Sequence, residues 1–226
     1  MAVSSWRLLE GEDPEFVVPG TVAQTAWVSQ LRPLIVEMSA PGDTVFDPVA
    51  GWGTTMVACA VEGRRGIGVE IDESRVAFAR ERLARYEGQT MICGDARKPS
   101  LPDESVDMVL CDLPYFGTRY DPDVDPAADA TLYALQDYDD YLTALDDVFA
   151  SMARVMRPGA YAVACVHNRR IADRFVPLAW DTSRLLGRHL TLGDERIHLY
   201  PSTGTPDDPM RTNRAHEYVL VAAKPR

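Results

Sequence analysis

The sequence predicts an α/β fold: a doubly wound, mainly parallel, seven-stranded sheet with helices on both faces. Three observations predict it. The apolar pattern switches repeatedly between a period of two and a period near 3.6 along the 226 residues. Hydrophobic residues make up 46% of the chain, enough for a sizeable core in one domain spanning residues 1–226. Four of the five positions just beyond the first five strands, Asp47, Glu70, Asp95 and Asp112, hold a carboxylate. The fifth follows Val166. In an open α/β sheet that edge is where ligands bind.

The elements follow in chain order. Thr44 to Asp47 is a short buried strand ended by Asp-Pro, and Thr54 to Glu62 is a helix closed by Gly63. Gly66 to Ile71 is a second strand, with Ile67, Val69 and Ile71 on one face. Ser74 to Glu87 places Val76, Ala79, Leu83 and Tyr86 on one side of a helix that stops at Gly88. Met91 to Cys93 and Val106 to Cys111 are the third and fourth strands. Tyr141 to Met156 is an amphipathic helix ending at Arg157-Pro158-Gly159, and Tyr161 to Val166 is the fifth strand. Phe175 to Leu186 reads as helical, and Arg196 to Tyr200 and Glu217 to Ala222 as the last two strands. Alternating strands and helices make βαβ units, whose right-handed crossovers wind the sheet both ways from its middle.

Composition excludes several classes. No apolar run approaches the roughly 20 residues of a membrane span, so no membrane partner is expected. The first fifteen residues carry charges and no apolar stretch of the signal-peptide kind. Cys59, Cys93, Cys111 and Cys165 lie far apart with no metal spacing. They read as buried reduced thiols of a cytoplasmic protein, and no metal site is expected. The net charge of −11 is unevenly spread. Residues 101–150 hold 13 acids against the single base Arg119, whereas residues 151–226 hold 7 acids and 12 bases. The acidic stretch repels phosphate and attracts cations.

Asp47-Pro48-Val49-Ala50-Gly51-Trp52-Gly53-Thr54-Thr55 leaves a strand, turns tightly and opens a helix. Gly51 and Gly53 let the backbone approach a ligand, and a helix N-terminus favours an anionic group. Glu70 stands 17 residues after Gly53, where an acid accepts from ribose hydroxyls, and Asp95 follows the third strand, able to take an adenine amino proton. The set describes a nucleoside cofactor. A third fingerprint glycine and a P-loop lysine are missing, which disfavours NAD and ATP.

From about Thr21 to Lys224 the chain resembles the class I S-adenosylmethionine (SAM)-dependent methyltransferases. More narrowly, Asp47-Pro48-x-x-Gly51-x-Gly53-Thr54-Thr55 resembles the D-P-F-x-G-x-G-T-T motif of the DNA amino-methyltransferases. The resemblance implies a Rossmann-like sheet with an antiparallel last strand and SAM as cofactor. It implies that Asp47, Gly51 and Gly53 cradle the methionine part, Glu70 the ribose and Asp95 the adenine. Pro48, Ala50, Thr54, Ile71 and Ala96 complete that implied set. Pro19 to Ala23, with Thr21, corresponds to the family's N-terminal cofactor motif, which makes residues 1–40 a segment capping the cofactor.

After the fourth strand, Asp112-Leu113-Pro114-Tyr115 resembles the family's D-P-P-Y motif, with Leu113 in place of the first proline. By that resemblance Asp112 accepts one proton of a planar amino group and the Leu113 carbonyl the other. Tyr115 and Phe116 stack on the flat group carrying the nitrogen. Transfer is then an in-line displacement with no covalent enzyme intermediate, so no cysteine need act as nucleophile. Asn213-Arg214-Ala215-His216-Glu217-Tyr218 resembles the family's C-terminal H-E-Y strand, whose His216 and Glu217 brace the site. His167 follows the fifth strand and is expected to line the acceptor pocket.

Two acceptors fit. One is an exocyclic amino group of adenine or cytosine in DNA. Against it, there is no insertion long enough for a target-recognition domain, and the loop 116–136 over the site is acidic, with Asp121, Asp123, Asp125 and Asp129. The other is a small basic molecule, an amine or guanidine, drawn in by that loop, paired with Asp112 and stacked on Tyr115 and Tyr120. Guanine amino-methylation in RNA is a lesser third option.

Overall fold

A computed structural model describes residues 4–18, 26–117, 132–201 and 215–226. Thr21, Tyr120 and the aspartates 121–129 lie outside these residues, as do Asn213 and Arg214. The chain runs β1 (Trp6–Leu8), α1 (Val28–Met38), β2 (Thr44–Asp47), α2 (Thr54–Val61) and β3 (Arg65–Glu70). It continues through α3 (Glu73–Leu83), β4 (Gln89–Cys93), β5 (Val106–Asp112), α4 (Tyr138–Val155) and β6 (Met156–Val166). The last elements are β7 (Arg169–Ile171), β8 (Arg174–Val176), α5 (Leu178–His189), β9 (Thr191–Leu199) and β10 (His216–Ala223).

The main sheet has the order β1-β9-β10-β6-β5-β2-β3-β4. The seven expected strands are present, and β1 adds an eighth at the edge by pairing in parallel with β9. Only β10 runs against its neighbours β6 and β9. Strand order reverses between β2, which pairs with β3 on one side, and β5 on the other. That switch point opens a crevice at the carboxyl ends of the strands.

Each interior strand alternates between two cores, as a period of two requires. On β5, Val109 and Cys111 face the cluster of α4 and α5, with Tyr141, Phe149 and Leu186. Met108 and Leu110 face α1, α2 and α3, with Leu31, Ile35, Met56 and Val76. The same alternation on β6 puts Ala162 and Ala164 on one side and Val163 and Cys165 on the other.

Several boundaries differ from those read in the sequence. The segment expected to be helical from Phe175 begins instead with a hairpin of β7 and β8, turning at Ala172 with φ of 50°. The helix starts after Pro177, where the Asn168 side chain accepts from the Ala179 amide. Helix α4 starts three residues earlier than expected, because the Asp137 carboxylate accepts from the amides of Asp139 and Asp140. Helix α3 stops at Leu83 rather than Glu87. Strand β9 extends back to Thr191, paired with β10 along its length. Cys93 is exposed, contrary to the expectation of four buried thiols, because β4 is an edge strand. Among the described residues no helix is long and apolar enough to cross a membrane, and no group of His, Cys, Asp or Glu is arranged to hold a metal.

Candidate active site

The turn after β2 is held from below by Asp47, whose oxygens accept from the Val49 amide at 3.0 Å and from the Thr55 hydroxyl. Burial pushes the Asp47 carboxyl up to about 7, against the lowering effect of these bonds. The Ala50 amide bonds the Val69 carbonyl at 2.9 Å and ties the turn to β3. Gly53 caps α2 with φ of 79°, and a Cβ there would stand 3.2 Å from the Ala79 side chain. Glycine is therefore required twice, for the left-handed backbone and for the close approach of α3.

Glu70 ends β3 with both oxygens bonded: Oε2 accepts from the Gly51 amide at 2.9 Å and Oε1 from the Asp72 amide at 3.0 Å. Asp95 meets the Arg97 guanidinium, at 2.9 Å through Nε and 2.7 Å through the second nitrogen. That partner holds the Asp95 carboxyl below the usual carboxylate range.

One cleft collects Asp47, Pro48, Ala50, Gly51, Thr54, Glu70, Ile71, Asp95 and Ala96 with Asp112, Leu113 and Pro114. The two motifs, separate in sequence, thus share one opening at the switch point. Gly53 is not among the lining residues, since it turns the helix from behind. Five lining residues lie outside every motif read in the sequence: Ala26, Arg75, whose guanidinium lies 5.5 Å over the Trp52 ring, Arg97, Leu132 and Val148. No local motif marks them, because they come to the cleft from separate parts of the chain.

The catalytic-motif loop is fixed on both sides. The Leu113 amide donates to the Cys165 carbonyl at 3.1 Å, and the Tyr141 hydroxyl to the Pro114 carbonyl at 2.8 Å. Asp112 sits at the end of β5, and burial, with the nearby Glu217 carboxylate, pushes its carboxyl well above the usual range. Tyr115 and Phe116, expected to stack on the acceptor, are not among the residues lining the cleft. The Tyr115 hydroxyl lies 3.0 Å from Asp112 and 3.2 Å from Glu217. The Phe116 ring packs 5.0 Å from Tyr138 and 5.5 Å from Tyr141. His167 also lies off the cleft lining, its ring 5.1 Å from that of Tyr115. Burial keeps the Cys111 and Cys165 thiols protonated by raising both well above the ordinary thiol range.

Behind this loop stands Glu217 of β10, 1% exposed. Its Oε2 accepts from the Gln30 side chain at 2.5 Å and lies 3.2 Å from the Tyr200 hydroxyl. His167 and His198 each approach it to 3.5 Å. The bracing expected of Glu217 is therefore a bond network reaching α1 and β9. Gln30, His198 and Tyr200 were not legible, because only the folded sheet brings α1 and β9 to β10.

Residues 28–81 match the model of a family described as DNA methylase. That stretch covers the cofactor-side motif and ends before Asp112. YubD of Escherichia coli K12, described as a candidate methylase, is 44% identical over 60 residues, 26% of this chain and 26% of its own length. The tRNA (guanine(10)-N2)-dimethyltransferase of Methanothermobacter thermautotrophicus is 34% identical over 105 residues, 44% of this chain and 29% of its own. The matched stretches thus span under a third of either relative. Among solved structures, TrmN from Thermus thermophilus superposes with a TM-score of 0.64 at 17% identity, covering 93% of this chain and 52% of that one. At that identity the likeness is one of fold.

Proposed function

We propose that this chain is a SAM-dependent N-methyltransferase whose acceptor is the planar exocyclic amino group of a nucleobase. One observation carries the reading: Asp112, with Leu113 and Pro114, lines the same cleft as the Gly51 turn and Glu70. The carboxylate proposed to accept the amino proton and the residues proposed to hold the nucleoside then line one opening.

The residues fit the cofactor. Gly51 has φ of 49°, with no atom within 4 Å of where a Cβ would stand, which leaves room beside the turn. Each Glu70 oxygen accepts one amide and keeps a second lone pair for a ribose hydroxyl. Glu70 and Ile71 would hold the ribose, Asp95 and Ala96 the adenine, and the turn from Asp47 to Thr54 the methionine end. When bound, SAM supplies a methyl group on a positively charged sulfur. Asp112 orients the acceptor nitrogen by accepting one of its hydrogens, which turns the lone pair toward that methyl group. The Leu113 carbonyl accepts the second hydrogen, and the loop bonded through Leu113 and Pro114 keeps Asp112 in place, so positioning supplies most of the rate.

The nucleobase acceptor is supported by the family described as DNA methylase and by a relative named for a guanine amino group in tRNA. A small basic acceptor is favoured by one observation, the 13 acids against a single base in residues 101–150. The test is one labelling experiment with tritiated-methyl SAM, offered duplex DNA, single-stranded DNA, tRNA and guanidino compounds in parallel. Label in an N-methylated nucleoside after nuclease digestion supports the nucleobase reading. Label only in the guanidino product replaces it with the basic acceptor.

A further inference from the structure

The Tyr115 hydroxyl has one hydrogen but lies within hydrogen-bond distance of two carboxyl oxygens, 3.0 Å from Oδ1 of Asp112 and 3.2 Å from Oε1 of Glu217. One hydrogen serves one of them, so the second contact needs a hydrogen from an acid. Two ionised carboxylates this close and out of water repel strongly, and such pairs hold one proton between them. The surroundings say which oxygen of Glu217 takes part. Oε2 of Glu217 faces the Gln30 donor of α1, the Tyr200 hydroxyl, and Nδ1 of His198, which is buried without a hydrogen-bond partner. That oxygen is an acceptor, so Oε1 is the Glu217 oxygen that shares the hydrogen with Oδ1 of Asp112. Oε1 also faces Nε2 of His167 at 3.5 Å. Nδ1 of that ring lies 2.8 Å from the His216 carbonyl, which only accepts, so Nδ1 carries the hydrogen and Nε2 presents a lone pair to Glu217. The His167 side chain is 26% exposed, whereas Glu217 is 1% exposed. The buried Cys111 and Cys165 thiols and the Asp47 carboxyl are further titratable groups whose charge reaches this pair.

We propose that Asp112 and Glu217 hold a single proton between them across Tyr115, and that Glu217 is the positioning residue that passes the acceptor's amino proton on to His167. The second half rests on the N-methyltransferase reading. The balance closes. The nitrogen lone pair forms the bond to the methyl carbon, and the carbon–sulfur pair stays on sulfur. The nitrogen's surplus proton goes to Asp112. Asp112 gives a proton to Tyr115 as Tyr115 gives one to Glu217 and Glu217 gives one to Nε2 of His167, which releases it to water. The pair then holds one shared proton, as before.

The first arm of the test needs no acceptor. Protein labelled with carboxyl-13C aspartate and glutamate is titrated by NMR, with Asp112→Asn and Glu217→Gln assigning the two signals. One protonated carboxyl in the pair at neutral pH, lost in Glu217→Gln, is the expected result. Two ionised carboxylates in the wild-type protein overturn the shared proton, whatever the activity. The second arm reads turnover. Glu217→Gln keeps the shape and cannot relay, so kcat falls by about tenfold or more while SAM affinity stays within about twofold. The acid limb of its pH profile moves to lower pH, because Asp112 loses a like-charged neighbour. An unchanged kcat overturns the relay. A protein that shows the shared proton yet methylates none of the acceptors refutes the N-methyltransferase reading and the relay with it, and leaves the shared proton standing.

Discussion

The Tyr115 hydroxyl lies 3.0 Å from Oδ1 of Asp112, so the last residue of the four-residue motif is bonded to its first. This closes the loop on itself and makes Asp112 a carboxylate of defined orientation. Tyr115 thus helps to aim Asp112, in addition to any contact with the acceptor. Tyr115→Phe keeps the ring and loses the hydroxyl. If aiming matters, kcat falls by about tenfold or more with little change in SAM affinity, as expected for a group acting through the proton acceptor. Full activity in this variant, measured under saturating SAM, returns Tyr115 to a stacking role alone.

Asp112→Asn is the sharper test of chemistry. The amide keeps the size of the side chain but accepts a proton far less well. Turnover is expected to fall by about a hundredfold or more, the range for losing a general acid or base. SAM binding by calorimetry is expected to stay within about threefold, because Glu70 and Asp95, not Asp112, are the carboxylates proposed to hold the cofactor. A large loss of SAM affinity reassigns Asp112 to cofactor binding.

Glu70→Gln separates the two ends of the cleft. Glu70 braces the turn through the Gly51 and Asp72 amides and offers its outer lone pairs to the ribose. The amide keeps one acceptor oxygen and opposes the other backbone N–H with a donor. SAM affinity is expected to drop by about tenfold to a hundredfold, the cost of one charge-assisted hydrogen bond at about 1.5–3 kcal/mol. Calorimetry at fixed pH reads it, and unchanged affinity removes Glu70 from the cofactor wall.

Much of this site was legible because its parts are local. A strand, a Gly-x-Gly turn and a helix N-terminus form one continuous segment, and Asp47, Gly51 and Glu70 fall where a parallel sheet puts its carboxyl ends. Asp112 and Pro114 were legible for the same reason. What was not legible depends on side chains meeting across the fold. Arg97 neutralises Asp95 two residues away, a pairing that many loops lack. The Tyr115 ring was expected to face the acceptor, and only the position of β10 shows Glu217 competing for its hydroxyl. The β7–β8 hairpin was missed because Arg169 to Val176 mixes charged and apolar residues at no clear period.

Gly53→Ala tests the turn without touching the cleft lining. The substitution asks an L-residue to take φ of 79° and brings its Cβ within 3.2 Å of the Ala79 Cβ. Backbone strain of this kind costs about 1–3 kcal/mol before the crowding is added. At about 2–4 °C per kcal/mol for a chain of this size, Tm is expected to fall by about 3–10 °C. Scanning calorimetry in the absence of SAM reads it. An unchanged Tm means that the turn relaxes at no cost and that Gly53 is not required by the fold.

The pH dependence of stability is set in part by Asp47, buried under the turn, whose carboxyl rises from 3.8 to about 7 on folding. A raised acid favours the folded state only while it is protonated. Its contribution is therefore fully present below about pH 4, declines as pH rises through the interval to about 7, and is gone above it. Over that interval the linkage amounts to about 4 kcal/mol at most, at 1.36 kcal/mol per unit. Asp47→Asn stays neutral throughout, and its amide can still accept from Val49 while donating to the Thr55 oxygen. The variant is thus expected to gain on wild type as pH rises from about 4 to about 7 and to hold that gain up to pH 8. The difference in Tm between the two proteins, measured at each pH, reads this term together with the smaller effect of the Asp47 charge on Asp112. Thr55→Val supplies the internal check. The hydroxyl it removes bonds Asp47 and lowers its carboxyl, so the same decline should move to higher pH. A difference in Tm that stays flat from pH 4 to pH 8 means that Asp47 is ionised in the fold throughout, with the turn's amides and hydroxyl outweighing its burial.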